Sequence, residues 1–167
     1  KRRGVQNVDA SGDGTGYSLQ VSRHYASEAQ KRKEKLKSAD ADSKKAFVYS
    51  FKLLDLNTNL YVAFGLSFKS EKEAYNRAME MFEASGLKLS SMRLDKYYSN
   101  PSDVGKLGPS VNVYVLPKKN ATVKGNWAWK RRMFDFVNNT EAYFEEYYRR
   151  EHSEAQFGAD KRWFGWD

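Results

Sequence analysis

Four side chains near the C-terminal end of the chain are spaced so that they could act together. Tyr147, Arg150, Glu154 and Lys161 stand three, four and seven residues apart. At 3.6 residues per turn these intervals fall on one stripe of one helix, and Tyr143 and Phe157 extend it at either end. An aromatic, cationic, acidic and cationic stripe is unusual for a packed core, and its tyrosines make it unusual for a solvated face. The plainer alternative is a half-buried helix with an internal Arg150–Glu154 ion pair at i, i+4. Two further acids, Asp9 and Asp95, end segments that read as strands. Such positions reach the rim of a sheet, where ligands bind in open α/β folds, although aspartates also commonly begin turns after strands.

The composition narrows the chemistry these groups could do. There is no cysteine and there are two histidines, which excludes disulfides, zinc fingers and thiol catalysis and makes a histidine-rich metal site a poor fit. A metal would be held by carboxylates, whose hard oxygens suit magnesium or manganese. The formal charge of +8 favours a polyanionic partner, nucleic acid before acidic membrane. No apolar run approaches the ~20 residues a membrane helix needs, so no membrane partner is expected, and the N-terminus lacks a signal-peptide pattern. The 167 residues, 40% hydrophobic and 15% aromatic, suit one domain with one sizeable core. A first residue of Lys suggests a fragment of a longer protein.

Val5 to Asp9 is a short apolar stretch, 10–16 a glycine-rich turn, and Tyr17 to Tyr25 an alternating strand. The charged run at about 27–45, dense in lysine around Lys31 to Lys37, reads as a solvated excursion. Phe47 to Leu56 and Leu60 to Phe68 read as a hairpin joined by Asn57-Thr58-Asn59. Ser70-x-x-Glu73 is a capping box for a helix with Ala74, Ala78, Met81 and Phe82 on one side and Gly86 as its stop. Leu87 to Leu94 alternates as a strand ending at Asp95. A loop with one helical turn follows to Ser110, then a strand at Val111 to Leu116, then helix from Trp127 to Arg162 with a break near Asn138-Asn139. Antiparallel strands followed by strands joined through helices imply a mixed sheet covered by helices.

Tyr147-x-x-Arg150-x-x-x-Glu154-x-x-x-x-x-x-Lys161 resembles, position for position, the Y-R-E-K signature of the DDE transposases of prokaryotic insertion sequences. Val8-Asp9-Ala10-Ser11-Gly12 looks like the first-aspartate motif of that family, Ser22-Arg23-His24-Tyr25 like the stretch after it, and Leu94-Asp95-Lys96-Tyr97-Tyr98 like its second. Asp13-Gly14-Thr15-Gly16 also looks like the first motif, so Asp13 competes with Asp9; Asp9 is preferred because it directly ends an apolar strand. The resemblance implies an α/β fold with a ribonuclease-H-like mixed sheet flanked by helices, one catalytic domain over 1–167, and an N-terminal DNA-binding domain absent from this chain. It implies hydrolysis of a phosphodiester at an element end and strand transfer into target DNA. Asp9, Asp95 and Glu154 would hold two Mg2+ ions, replaceable by Mn2+, about 4 Å apart. Arg150 and Lys161 would contact phosphates, and Tyr147 a phosphate or unstacked base. The partners implied are DNA at element ends and target, and a second copy of the chain as a homodimer on DNA, in a prokaryotic cytoplasm at the nucleoid. Lys130 and Arg131 beside Trp129 interleave cations with a stacking surface, which suits DNA as well as an amphipathic helix with core tryptophans. They lie in a candidate insertion at about 118–138.

Overall fold

The computed structural model describes residues 7–18 and 47–163. Five strands form one mixed sheet in the order β3-β2-β1-β4-β5: β1 (Asn7–Ser18), β2 (Phe47–Asp55), β3 (Leu60–Ser67), β4 (Lys88–Leu94) and β5 (Asn112–Tyr114). β1 runs antiparallel to β2 and parallel to β4, which in turn runs parallel to β5. The helices are α1 (Glu71–Ala84), α2 (Pro101–Lys106), α3 (Trp127–Asn138), α4 (Thr140–Tyr148) and α5 (Glu151–Trp163), with a 3-10 turn at Lys96–Tyr98. This is the expected α/β, ribonuclease-H-like arrangement. The charged excursion at 27–45 and Ser22 to Tyr25 lie outside the described residues.

β1 corrects the expected order at the start of the chain. The glycine-rich stretch at 10–16 is not a turn but the middle of one twelve-residue strand, paired from Ala10 onward with β2 and over its first half with β4. Its glycines are there for close approach rather than for turning. A Cβ on Gly12 would collide with the Phe51 ring, and one on Gly14 with the Glu71 side chain. Residues alternate across a strand, so Val8, Ala10 and Gly12 face the side covered by α1, while Asp9, Ser11 and Asp13 face the other.

The α1 side is the apolar core. Val8, Ala10, Phe51, Leu53, Met92 and Leu94 of the sheet pack with Ala74, Tyr75, Ala78 and Phe82 of α1. Phe51, Tyr75 and Tyr98 meet ring to ring with centroids 5.0–5.5 Å apart. Met81, expected on the buried face, is 44% exposed, and Tyr75 takes its place. The cap is half the expected box: Ser70 Oγ accepts from the Glu73 amide at 3.2 Å. The Glu73 carboxylate turns instead to Ser67, whose hydroxyl donates to it at 2.9 Å while accepting from the Ser70 amide at 3.3 Å. Gly86, at φ 72°, follows the helix as expected.

The Trp127–Arg162 helix breaks near Asn139, as anticipated, and again at Arg149–Arg150, where the sequence has no glycine or proline. The single Tyr147-to-Lys161 stripe is therefore split over two helices. α3 sends Trp129 and Met133 into the main core. No helix among the described residues is long and apolar enough to cross a membrane.

α1 crosses β3 so closely at Gly65 that a Cβ there would overlap the Ala74 carbonyl oxygen and the Ala78 amide. Both obstacles are helix backbone and cannot rotate aside. Gly65→Ala should therefore destabilise the fold by about 3 kcal/mol, measured by urea denaturation against wild type.

Candidate functional site: an acid cluster around Arg150

The polar face of the sheet is crossed by α4 and α5. Three points on β1 meet the break between these helices in turn. Asp9 pairs with Arg149 at 2.7 Å. Ser11 Oγ lies 2.7 Å from Ser153 Oγ, both groups fully buried. Ser153 donates to the Arg150 carbonyl at 2.6 Å, so its proton is committed and Ser11 is the donor. Two hydroxyls in place of larger side chains let α5 sit directly on the strand. Asp13 reaches Arg150 at 3.8 Å.

Arg150 gathers the acids. Its Nη2 lies 3.1 Å from Glu154 and 3.8 Å from Asp13, and its Nη1 lies 3.4 Å from Asp95. Nη1 also donates to the Tyr147 hydroxyl at 3.0 Å. The guanidinium is largely buried, whereas the side chains of Asp13, Asp95 and Glu154 are 31%, 45% and 52% exposed. The acids thus form an open rim over a cationic floor. Asp95 follows β4 and caps the 3-10 turn, accepting from the Tyr97 amide at 2.8 Å. Gly12 pairs with Leu94 in the parallel β1–β4 ladder, so Asp13 and Asp95 are the next residues along neighbouring strands. Burial pushes the Asp13 carboxyl up, against the pull of Arg150 and with added repulsion from Asp95 and Glu154.

Asp9, preferred over Asp13 from the sequence, is not in this cluster, whereas Asp13 is. Four residues upstream on the same face, it is about 13 Å away along the strand at ~3.3 Å per residue. Its carboxylate is consumed by Arg93 at 2.5 Å, by Arg149 and by the Ser91 hydroxyl. Burial raises its pKa, but the Ser91 hydrogen bond and the two arginines outweigh this and leave it lowered. The strand-end criterion chose Asp9 because the glycines read as a turn; with β1 continuous, the acid level with the end of β4 is Asp13.

The remaining expected residues fall out unevenly. Tyr147 is buried against Arg150 rather than presented to solvent. Trp129, expected to stack on DNA, is 2% exposed, and its indole donates to the Thr122 carbonyl at 2.8 Å, so it is a core residue. Lys130 and Arg131 are exposed, as are Lys118, Lys119 and Lys124, and Trp127, 73% exposed, is the surface aromatic of that segment. Lys118 reaches the Tyr97 carbonyl at 3.4 Å, which ties this basic segment to the turn at Asp95. Lys161 is on α5, with its side chain outside the described residues. Missed from sequence were Arg93 and Arg149, which hold Asp9, Glu146, which pairs with both arginines, and Lys52, the cross-strand neighbour of Asp13, which pairs with Asp160 at 2.8 Å.

Asp9 and Asp13 should respond oppositely to removal of charge. Asp9, lowered on folding, contributes stability that is present at neutral pH and lost on acidification; Asp13, raised on folding, opposes folding when ionised and ceases to do so once protonated. Asp9→Asn should cost about 3 kcal/mol at pH 7, since it leaves paired buried charges uncompensated. Asp13→Asn should raise the melting temperature at pH 7, with the gain vanishing as the pH falls. Thermal unfolding of both variants across pH checks this, and equal effects of either sign would contradict it.

No family model matches the sequence, and no solved structure matches it. The chain is 39% identical over 158 residues, 95% of its own length, to a probable transposase for insertion sequence element ISA1214 from Archaeoglobus fulgidus, and it spans 45% of that relative's length.

Proposed function

We propose that this chain is the catalytic core of a DDE-type transposase, cutting phosphodiesters at element ends and joining the freed 3′ hydroxyl to target DNA. The observation that carries the proposal is the convergence of Asp13, Asp95 and Glu154 on a single guanidinium at the end of β4. The likeness to an insertion-sequence transposase over nearly the whole chain, the +8 charge and the Y-R-E-K spacing point the same way. A related nuclease that cuts without joining shares all these features except the last.

The donor set fits hard divalent cations by type: three carboxylates, mutually close enough for Asp13 to feel both others, around a point that attracts positive charge. Among the described residues no three acidic or histidine side chains stand close enough to hold one ion as they are, since Arg150 is interposed. Asp13, Asp95 and Glu154 are the residues that would hold Mg2+ or Mn2+, Asp13 taking the role first assigned to Asp9. A pair of such ions supplies activation of the attacking oxygen and stabilisation of the leaving one.

The chain's own groups do the rest. Arg150 carries a planar fork suited to a phosphate, and Tyr147 beneath it fixes the direction of that fork. Lys161, seven residues beyond Glu154 on α5, would contact the same DNA strand if the Y-R-E-K resemblance holds. The exposed cations at Lys118, Lys119, Lys124, Lys130 and Arg131, with Trp127 among them, would track the duplex away from the acid cluster. A second copy of the chain bridging two element ends completes the proposal.

Incubating the protein with supercoiled plasmid and Mn2+, then with a labelled duplex bearing a free 3′ hydroxyl, tests both halves. Nicking that needs metal and falls about 100- to 1,000-fold in Asp95→Asn and Glu154→Gln, in line with what loss of transition-state charge stabilisation costs, is the expected outcome. Joined products would favour the transposase over the nuclease. Cleavage unaffected by either substitution would sink both readings.

A further inference from the structure

Beside the acid cluster lies a second charged assembly that the proposed chemistry does not use. Asp9, Arg93, Glu146 and Arg149 form a closed ring of alternating charge. Asp9 meets Arg93 at 2.5 Å, Arg93 meets Glu146, Glu146 meets Arg149 at 3.1 Å, and Arg149 returns to Asp9 at 2.7 Å. Arg93 is fully buried and also donates through Nε to the Glu146 backbone carbonyl at 2.5 Å. The ring joins β1, β4 and the last turn of α4. Its last member immediately precedes Arg150, and the two arginines are the whole of the break between α4 and α5. Consecutive arginines therefore reach two aspartates on one face of one strand, Arg149 to Asp9 and Arg150 to Asp13.

We infer that Asp9 is a positioning residue of the proposed reaction. Through Arg149 it sets where the helix break sits along β1, and so where Arg150 and Glu154 stand relative to Asp13 and Asp95. The geometry leaves little slack. Arg149 is pinned at 2.7 Å, and Ser11 meets Ser153 three residues beyond Arg150 at 2.7 Å, so a shift of the break moves every contact of the Arg150 fork. This rests on the proposed function for its effect on cleavage, but the coupling between Asp9 and Arg150 is a property of the fold and is read separately.

The experiment compares Asp9→Asn, Arg149→Ala, their double variant and Asp9→Glu in the full 167-residue chain. Assays are run at a temperature where circular dichroism shows each to be folded. Three quantities are measured: Mn2+ affinity by calorimetry, single-turnover plasmid nicking, and the side-chain Nε resonance of Arg150 in 15N-labelled protein. That nitrogen is buried without a hydrogen-bond partner, so its signal reports its surroundings. Expected are retained Mn2+ binding, nicking slowed on the order of 100-fold by misplacement of about 1 Å, and a double variant no slower than either single. Partial recovery is expected in Asp9→Glu, with the same displacement of the Arg150 resonance in both single variants. Loss of Mn2+ binding in Asp9→Asn but not in Arg149→Ala would make Asp9 a ligand and overturn the inference. So would losses that multiply in the double variant, or a lowered melting temperature with nicking and the Arg150 resonance unchanged. If wild type does not nick, the proposed function fails, and the Arg150 resonance alone still decides whether Asp9 positions it.

Discussion

A fully buried guanidinium is the constraint around which the polar half of this molecule is arranged. Arg93 points from β4 into a face that α4 then covers, and an uncompensated charge there would cost several kcal/mol. Two carboxylates answer it, one from β1 and one from α4, and the second of these recruits Arg149 in turn. Hydrophobic contact is non-directional and could let a helix slide along a strand. A ring of four charges with one fixed pairing cannot slide by a residue without leaving a buried charge unpaired. Register between the helices and the sheet is thus set by electrostatics on this face and by packing on the α1 face.

The two faces divide the labour of stability and chemistry. Under α1 the sheet is closed with aliphatic and aromatic side chains, and glycines at 12 and 65 admit a ring and a helix backbone where any side chain would hold them off. Under α4 and α5 the same strands present Asp9, Ser11, Asp13, Ser91, Arg93 and Asp95. Contact there is made largely by ion pairs and by the Ser11–Ser153 hydrogen bond. α5 adds one apolar patch farther out, where Phe157 stacks on Tyr61 at 5.7 Å and Asp160 takes both the Tyr61 hydroxyl and Lys52. Arg132 shows the other way to bury a cation: it lies over the rings of Trp129 and Tyr143, at 5.1 and 5.8 Å.

Local patterns carried the fold in the sequence, and long-range pairing hid the site. The hairpin, the capped helix with its glycine stop, the strand before Asp95 and the break at Asn139 are all written in short stretches, and each forms within a residue or two of its expected bounds. β1 was misread because Gly12, Gly14 and Gly16 signal a turn when seen alone. Only the Phe51 ring and α1, from distant parts of the chain, explain why glycine stands there in a strand. The distance of Asp9 from the acid cluster follows from the same continuity of β1. The break at Arg149–Arg150 was invisible for a related reason: nothing local ends the helix, and the arginines are drawn to aspartates some 140 residues earlier. Trp129 and Trp127 alternate in sequence, and which of the two is core depends on the face α3 turns to the sheet.

The acid cluster is electrostatically unfinished with respect to the substrate proposed for it. Three carboxylates face one guanidinium, and Asp13 is raised by burial first, with repulsion from Asp95 and Glu154 added to it. A phosphodiester brought to such a rim meets repulsion in a partly desolvated setting, where it is screened less than at an open surface. Further positive charge must therefore come from outside the cluster before a phosphate can settle. The described chain offers exposed cations close by in sequence: Lys118 sits against the turn at Asp95, and Lys119, Lys124, Lys130 and Arg131 follow it as exposed side chains. A polyanion held by those side chains, with cations entering between it and the carboxylates, neutralises the rim from both sides. Binding of the strand and of hard cations should then be mutually reinforcing, because each removes the repulsion that opposes the other.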